Sequence, residues 1–150
     1  QGEGLVDALT WLATNLQKVY GFTMVLDAEH NFVDINEDMR VLLFQIIREL
    51  LFNVIKHADI DHAMVTLREE ASDRLTITVE DAGCGFDIES AEARHEGGFG
   101  LFSVRERVNL FGGHMVIDAV PGQGTRITLS LPSIAPASAP PPPTPGGELT

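Results

Sequence analysis

The stretch RLTITVEDAGCGFD, residues 74–87, changes character halfway along. Apolar and polar side chains alternate as far as Asp81, which predicts a half-buried strand ending there. Gly83 and Gly85 follow, with the chain's single cysteine, Cys84, between them. Glycine lets the backbone approach a ligand closely, and a carboxylate at a strand end can accept a hydrogen bond from an amine. The same residues are also compatible with a plain turn after an edge strand.

The segments on either side predict an α+β domain. Helical spacing of apolar residues predicts helices over residues 3–19, 37–58 and 99–111. Asn36 is the expected N-cap of the second helix. Alternation predicts strands over residues 22–27, 63–69, 74–81, 114–120 and 125–131. This order favours a two-layer α/β sandwich, in which about three helices cover one face of a mixed five-stranded sheet.

Composition limits the class of protein. Hydrophobic residues make up 44% of the 150 residues, which is enough for a core, and no apolar run approaches a membrane span. The net charge is −12, with 10 basic residues scattered among 22 acidic ones, so nucleic acid is not expected as a partner. A single cysteine excludes an internal disulfide and fits a reducing compartment.

The C-terminal end has a different composition. Seven of the eight prolines lie at Pro132 or beyond it. Too few apolar side chains are present there to offset the entropy of ordering the chain. We therefore expect one folded domain over residues 1–132 and a disordered, Pro-rich linker over residues 133–150.

Three polar residues lie on one side of the long predicted helix. Glu49, Asn53 and Lys56 follow one another at intervals of four and three residues. A carboxylate can take a proton, an amide oxygen can bind a hard metal ion, and an ammonium group can meet phosphate. The three can equally be the solvated side of an amphipathic helix.

Two glycine-containing stretches complete the pattern. EGGFGLFSVRERV (96–108) runs from a loop directly into a predicted helix, whose first N–H groups can bind phosphate. It lacks the Lys-Ser/Thr ending of a P-loop and does not follow a strand, as a dinucleotide-binding fingerprint would. GQGT (122–125) is most simply a hairpin turn, although the hydroxyl of Thr125 can also face a ligand.

Together and in order, four segments resemble one family. ELLFNVIKHA (49–58), DAGCGFD (81–87), GGFGLFSVRERV (97–108) and GQGT (122–125) resemble the N, G1, G2 and G3 boxes of the GHKL, or Bergerat, ATP-binding fold. The likeness is to the catalytic and ATP-binding domain of bacterial sensor histidine kinases, in the subgroup that pairs with LuxR-type response regulators. It extends over residues 3–132 and is weakest between residues 87 and 96.

The resemblance implies a role for each motif residue at the base. Asp81 would accept a hydrogen bond from the adenine amino group, and Gly83 and Gly85 would let the chain pass beside the ring. Thr125 would assist at the base through water.

The resemblance also implies a phosphate site. Asn53 would coordinate Mg²⁺, and Lys56 and His57 would lie near the phosphates of ATP. The lid would comprise residues 87–98, and Glu49 would act as general base or orienter toward an incoming histidine imidazole. The end of the lid and the first turn of the next helix would complete the nucleotide site through Gly98, Gly100, Leu101 and Phe102.

The function expected from this resemblance is MgATP-dependent phosphoryl transfer to a histidine in two-component signalling. The phosphoacceptor would belong to a dimerisation domain upstream of this chain, and a response regulator would act downstream. We expect this part alone to be a cytoplasmic monomer within a homodimeric parent, either soluble or membrane-anchored. The alternatives are a nucleotide-binding pseudokinase module and another GHKL ATPase or serine kinase.

Two further patterns are weaker hypotheses. His57, Asp59, Asp61 and His62 are ligand types for a metal, but they straddle a helix end and share no face. Cys84 lies where a redox switch could act, although a small residue that fits between two glycines is the simpler interpretation.

Overall fold

A computed structural model describes residues 4–29, 35–57, 60–70, 74–83 and 101–132. Those residues form three helices, α1 (Leu5–Tyr20), α2 (Glu37–His57) and α3 (Leu101–Leu110). They also form five strands, β1 (Thr23–Ala28), β2 (His62–Glu70), β3 (Arg74–Asp81), β4 (His114–Val120) and β5 (Gly124–Pro132). Each element was predicted from the sequence, with the described ends shifted by no more than two residues. The predicted linker, residues 133–150, lies outside the described residues.

The five strands form a mixed sheet in the order β1-β2-β3-β5-β4. β1 and β2 are parallel, and the other three neighbouring pairs are antiparallel. A parallel pair needs a crossover connection, which α2 supplies between β1 and β2. Short connections join β2 to β3 and β4 to β5, as hairpins require. The predicted mixed five-stranded sheet is confirmed.

Local chemistry sets the helix ends. α1 ends at Gly21, which has a left-handed φ of 64° and donates its N–H to Gln17 O at 3.0 Å. Gly tolerates this conformation, since it has no Cβ to clash. α2 begins after Asn36, whose side-chain Oδ1 accepts the N–H of Asp38 at 2.7 Å. The predicted N-cap is therefore confirmed.

The core lies between the helices and one face of the sheet. On β3 and β5 every second residue is buried, and the buried set is Leu75, Ile77, Val79, Ile127, Leu129 and Leu131. α2 presents one fully buried stripe that includes Leu43, Ile46, Ile47, Leu50 and Leu51. α2 packs on β3, α1 on β1 and α3 on β4. This gives the predicted two layers, since the helices share one face of the sheet.

The connections bring the ends of several helices and strands to one end of the domain. β2 starts shortly after α2 ends at His57, and β3 runs back along β2, so β3 ends beside the end of α2. Asp81 pairs with Thr125 near the start of β5. A short turn joins α3 to β4, which ends beside β5, so α3 starts at this same end. We call it the site end, defined by His57, Asp81, Leu101 and Thr125.

Candidate functional site

Asp81 is the last residue of β3 and lies on the helix side of the sheet. It has the same parity along the strand as the buried Ile77 and Val79. Its register partner is Thr125, which shares the parity of the buried Ile127 on β5. Directly opposite residues of an antiparallel pair have Cβ atoms about 5 Å apart. The structure thus brings together two candidate residues that are 44 positions apart in the sequence.

The carboxylate of Asp81 is partly removed from water. Burial raises its pKa above the ordinary value, and two weaker effects oppose this shift. Asp81 Oδ1 accepts the N–H of Gly83 at 2.7 Å, and His62 contributes a favourable charge. Among the described residues, Gly83 is the one hydrogen-bond donor to this carboxylate. A half-buried carboxylate with spare acceptor capacity can bind an amine from a ligand.

Gly124 is part of this arrangement, although the sequence analysis assigned it no role. Its φ is 95°, and a Cβ there would collide with the backbone carbonyl oxygen of Asp81. The same Cβ would lie only 3.0 Å from Cα of Ala82. Only glycine lets β5 approach the end of β3 so closely. The GQGT motif contained the signal, since glycine precedes the candidate threonine there.

A cavity of about 300 Å³ is lined by Asp81 and Thr125 together with residues on the other face of the sheet. Glu80, Asp118 and Arg126 contribute to it, and they alternate with the helix-side residues along their strands. Arg126 Nε donates to Glu80 Oε1 at 3.0 Å across this open face. We therefore do not equate this cavity with the expected adenine site, which belongs on the helix side.

The C-terminal part of α2 carries the other candidates. Asn53 is half-buried, while Lys56 and His57 are exposed in the last turn. Partial burial lowers the pKa of His57, and the neighbouring Lys56 charge lowers it further. An anionic ligand bound beside these two side chains would oppose that shift, because a negative charge favours the protonated imidazole. The fold thus places these three residues on the helix that packs against β3.

α3 begins with Leu101 and Phe102. Leu101 is buried in the core, whereas Phe102 is half exposed at the first turn. Leu101 therefore anchors the start of the helix, and its neighbour faces solvent at the site end. The other predicted residues of this region, Gly98 and Gly100, lie outside the described residues together with Gly85 and the proposed lid, residues 87–98.

Glu49 makes an ion pair that the sequence analysis missed. Nη2 of Arg107, on α3, donates to Oε1 of Glu49, on α2. The side chain of Arg107 is 30% exposed and that of Glu49 is 37% exposed. Arg107 was visible within the GLFSVRERV motif, but no sequence rule says which neighbour a helical arginine contacts. The pair links two helices across 58 positions of sequence.

Comparison with known proteins gives one family. Residues 38–134 match the model of the "Histidine kinase-, DNA gyrase B-, and HSP90-like ATPase" family. An uncharacterized sensor-like histidine kinase of Chloroflexus aurantiacus is 43% identical over 94 residues, which cover 60% of this chain and 15% of that protein. The histidine-protein kinase/phosphatase DegS of Brevibacillus brevis is 38% identical over 96 residues, 64% of this chain and 24% of DegS.

UhpB of Salmonella typhimurium, another histidine-protein kinase/phosphatase, is 37% identical over 113 residues, 75% of this chain and 21% of UhpB. The chain thus spans at most about a quarter of these relatives.

Solved structures show the same fold. The histidine kinase domain of the blue-light activated histidine kinase of Erythrobacter litoralis superposes with a TM-score of 0.72 at 22% identity, over 86% of this chain and 61% of that one. The histidine kinase AdeS of Acinetobacter baumannii gives a TM-score of 0.66 at 15% identity, over 86% and 63% of the two chains. At these identities the likeness concerns the fold alone.

None of the helices within the described residues is long and apolar enough to cross a membrane. The family model covers most of the chain, and its match includes α2, β3, α3 and the β4–β5 hairpin. The resemblance found from the four sequence motifs is therefore confirmed. This chain belongs to the family of histidine kinase-, DNA gyrase B- and HSP90-like ATPases, as a domain of the histidine kinase type.

Proposed function

We propose that this domain binds MgATP and transfers its γ-phosphoryl group to a histidine on a dimerisation domain of the same protein. The observation that carries the proposal is the half-buried Asp81 carboxylate opposite Thr125, at the site end of a histidine kinase-type fold. A carboxylate with a raised pKa and one described hydrogen-bond donor has the spare acceptor capacity that recognition of a ligand amine requires.

Adenine recognition rests on Asp81. The exocyclic amine of adenine would donate to the carboxylate, and the Gly83 N–H bond would hold the carboxylate in place. Binding a neutral amine suits a partly desolvated carboxylate, because the group keeps its charge and gains a donor. Thr125 lies opposite and can extend the contact through its hydroxyl or a bound water.

The α2 candidates suit the phosphate end. Mg²⁺ bound with a nucleotide commonly takes one or two protein oxygens and leaves the remaining positions to phosphates and water. The amide oxygen of Asn53 is such a ligand, so the donor set fits this ion. When bound, Mg²⁺ would neutralise charge that develops on the phosphates. Lys56 and His57 would add cationic and hydrogen-bonding contacts nearby.

In the proposed reaction the phosphoryl group would pass directly from ATP to the acceptor histidine, without a covalent bond to this domain. A nitrogen of the acceptor imidazole would form a bond to the γ-phosphorus, and the bond from that phosphorus to the oxygen bridging the β-phosphate would break. ADP would leave with the electron pair. Glu49 would accept the proton from the other imidazole nitrogen, so that the ring remains a good nucleophile. Positioning and charge stabilisation would supply most of the rate.

The expected partners lie outside this chain. The relatives named above are sensor-like or signal-transduction histidine kinases, of which this chain spans a small part. We propose a phosphoacceptor domain in the same parent protein and a LuxR-type response regulator as the final recipient. We also propose a cytoplasmic site of action, where ATP is available.

Calorimetric titration with ATP, with and without Mg²⁺, tests the nucleotide site. We expect saturable binding by the wild type, and at least about tenfold weaker binding by Asp81→Asn, since an amide is a weaker acceptor that also points a donor at the amine. Asp118→Asn is the matched control, because it makes the same change on the exposed outer face of β4. Equal affinity for the wild type and Asp81→Asn would overturn the assignment of Asp81.

Transfer is tested separately. The parent protein is incubated with ATP labelled at the γ-phosphate, and acid-labile, base-stable phosphohistidine is measured. We expect labelling by the wild type, and labelling slowed at least about a hundredfold, yet measurable, by Glu49→Gln. Tight ATP binding without any labelling would favour the pseudokinase alternative.

A further inference from the structure

We infer that Arg107 is a positioning residue for phosphoryl transfer, which holds the Glu49 carboxylate so that one oxygen stays available to the acceptor imidazole. The inference rests on the proposed role of Glu49. Arg107 itself need not touch ATP or the histidine. Its function would be to hold the base in place from the neighbouring helix.

The contact between the two residues uses one of the two oxygens of the Glu49 carboxylate. Nη2 of Arg107 donates to Oε1 of Glu49. Oε2 has no hydrogen-bond partner among the described residues. A carboxylate has lone pairs on both oxygens, so occupation of Oε1 leaves Oε2 able to accept a proton. The pair therefore holds the side chain without blocking it.

The arginine is well suited to hold its partner rigidly. The Nε atom of Arg107 is buried and, within the residues that the structure describes, has no hydrogen-bond partner. Leaving a buried donor without a partner is unfavourable, so the fold accepts a local cost to seat this side chain here. The planar guanidinium has a fixed fork of donors, and its Nε end is buried. A flexible glutamate thus gains a fixed anchor.

The location of the pair fits this role better than a stabilising one. A partly exposed ion pair contributes little to stability, because water screens it and two long side chains lose entropy. Arg107 and Glu49 nevertheless join α2, which carries Asn53 and Lys56, to α3, which begins at the site end. The contact fixes the proposed base against the last turn of α3, about 9 Å along that helix from its start. A base must lie within hydrogen-bond reach of its proton, so small displacements are costly.

The test uses the parent kinase with Arg107→Met, Arg107→Lys and Glu49→Gln, and measures kcat and KM for ATP in autophosphorylation. For Arg107→Met we expect kcat to fall at least about tenfold, with KM for ATP changed less than about twofold. Arg107→Lys should recover part of kcat, because it keeps the cation but not the fork. Arg68→Met is the control, since it breaks the Arg68–Asp27 pair of 2.8 Å between β1 and β2.

A double variant separates positioning from general damage. If Arg107 acts through Glu49, adding Arg107→Met to Glu49→Gln should lower kcat little further, since the base is already lost. An independent, additive loss would overturn the inference, and so would an unchanged kcat in Arg107→Met. Should Arg107→Met fail to fold, Arg107→Lys with and without Glu49→Gln decides by the same criterion.

The failure of the proposed function looks different. A wild-type parent that binds ATP without transfer would overturn the proposed phosphoryl transfer. A fully active Glu49→Gln would overturn the proposed role of Glu49 as general base. An active wild type and a strongly slowed Glu49→Gln, with full activity in Arg107→Met, would remove only the role of Arg107.

Discussion

The two ends of the β3–β5 pair treat their polar groups in opposite ways. At the end away from the site, Arg74 donates three hydrogen bonds to Ser130, at 3.3 and 3.0 Å to Oγ and 3.2 Å to the carbonyl oxygen. At the site end, Asp81 accepts one hydrogen bond from a described residue, Gly83, and burial raises its pKa. The first end satisfies its polar side chains within the fold, and the second keeps acceptor capacity that we propose a ligand uses.

Both ends nevertheless depend on a glycine that allows close backbone approach. A Cβ on Gly113 would lie 2.5 Å from the carbonyl oxygen of Ser130 and 2.8 Å from Cγ of Leu131. A Cβ on Gly124 would collide with the carbonyl oxygen of Asp81. The comparison teaches that tight packing alone does not mark a functional end. The proposed ligand site rests instead on the half-buried carboxylate of Asp81, which has one described hydrogen-bond donor.

The largest effect is expected from Gly124→Ala. Its positive φ adds backbone strain to the collision, so we expect a loss of about 3 kcal/mol or more in the free energy of unfolding. ATP affinity should also fall in the protein that remains folded, since the change displaces Asp81. Urea unfolding and calorimetry measure the two quantities. Unchanged ATP affinity would show that the two strands can separate without disturbing the site.

Gly113→Ala should produce a smaller loss of stability and leave the site intact. Overpacking of this kind costs about 1–3 kcal/mol, and this glycine has no positive φ to add strain. We expect the same urea experiment to show the loss, with ATP affinity unchanged under conditions where the protein is folded. A large fall in affinity would mean that the two ends are coupled through β5.

Asp81→Asn should separate stability from binding. Because its pKa is raised in the folded state, Asp81 stabilises the fold most when it is protonated, below its ordinary pKa of about 4. This contribution to stability is lost as the pH rises through the folded-state pKa. Asparagine stays neutral throughout. The variant should therefore be as stable as the wild type, or more stable, at neutral pH.

The difference in stability should fade as the pH falls toward about 4, where the wild-type carboxyl is protonated too. Thermal unfolding of both proteins between acidic and neutral pH measures this trend. An Asp81→Asn protein that is less stable at neutral pH, with the gap closing in acid, would mean that the ionised carboxylate is stabilised by the fold and that its pKa is lowered.

The smallest effect is expected from Ser130→Ala, at the end of the β3–β5 pair away from the site. The change removes the hydroxyl acceptor of Arg74 but leaves the carbonyl acceptor in place. We expect a loss of about 0.5–1 kcal/mol in the free energy of unfolding and no change in ATP affinity. Chemical unfolding and calorimetry on the same preparation check both, and any measurable loss of ATP affinity would contradict the separation of the two ends.

Much of the fold was predictable because its signals are local. Alternation in residues 74–81 and 114–120 predicted β3 and β4 with their observed bounds. The cap at Asn36 and the stop at Gly21 follow from single-residue preferences that need no tertiary partner. The order of helices and strands then left few ways to bury the apolar faces.

The contacts between residues distant in the sequence were harder to predict. The sequence analysis named Thr125 but not Gly124, because the need for glycine arises only when the end of β3 lies against it. It named Glu49 but not Arg107, because an arginine in an amphipathic helix can reach several neighbours or only water. Hydrogen-bond partners depend on how α2 and α3 pack, which no periodicity records.

The sequence by itself determined the elements, the mixed two-layer class and the resemblance to an ATP-binding family, since periodicity, caps and motif order are properties of short segments. Only the tertiary structure decided that Asp81 stands opposite Thr125 and that Glu49 is held by Arg107. The physical reason is that strand register and helix packing are set by the whole core. The burial that raises the pKa of Asp81 likewise exists only once that core has formed.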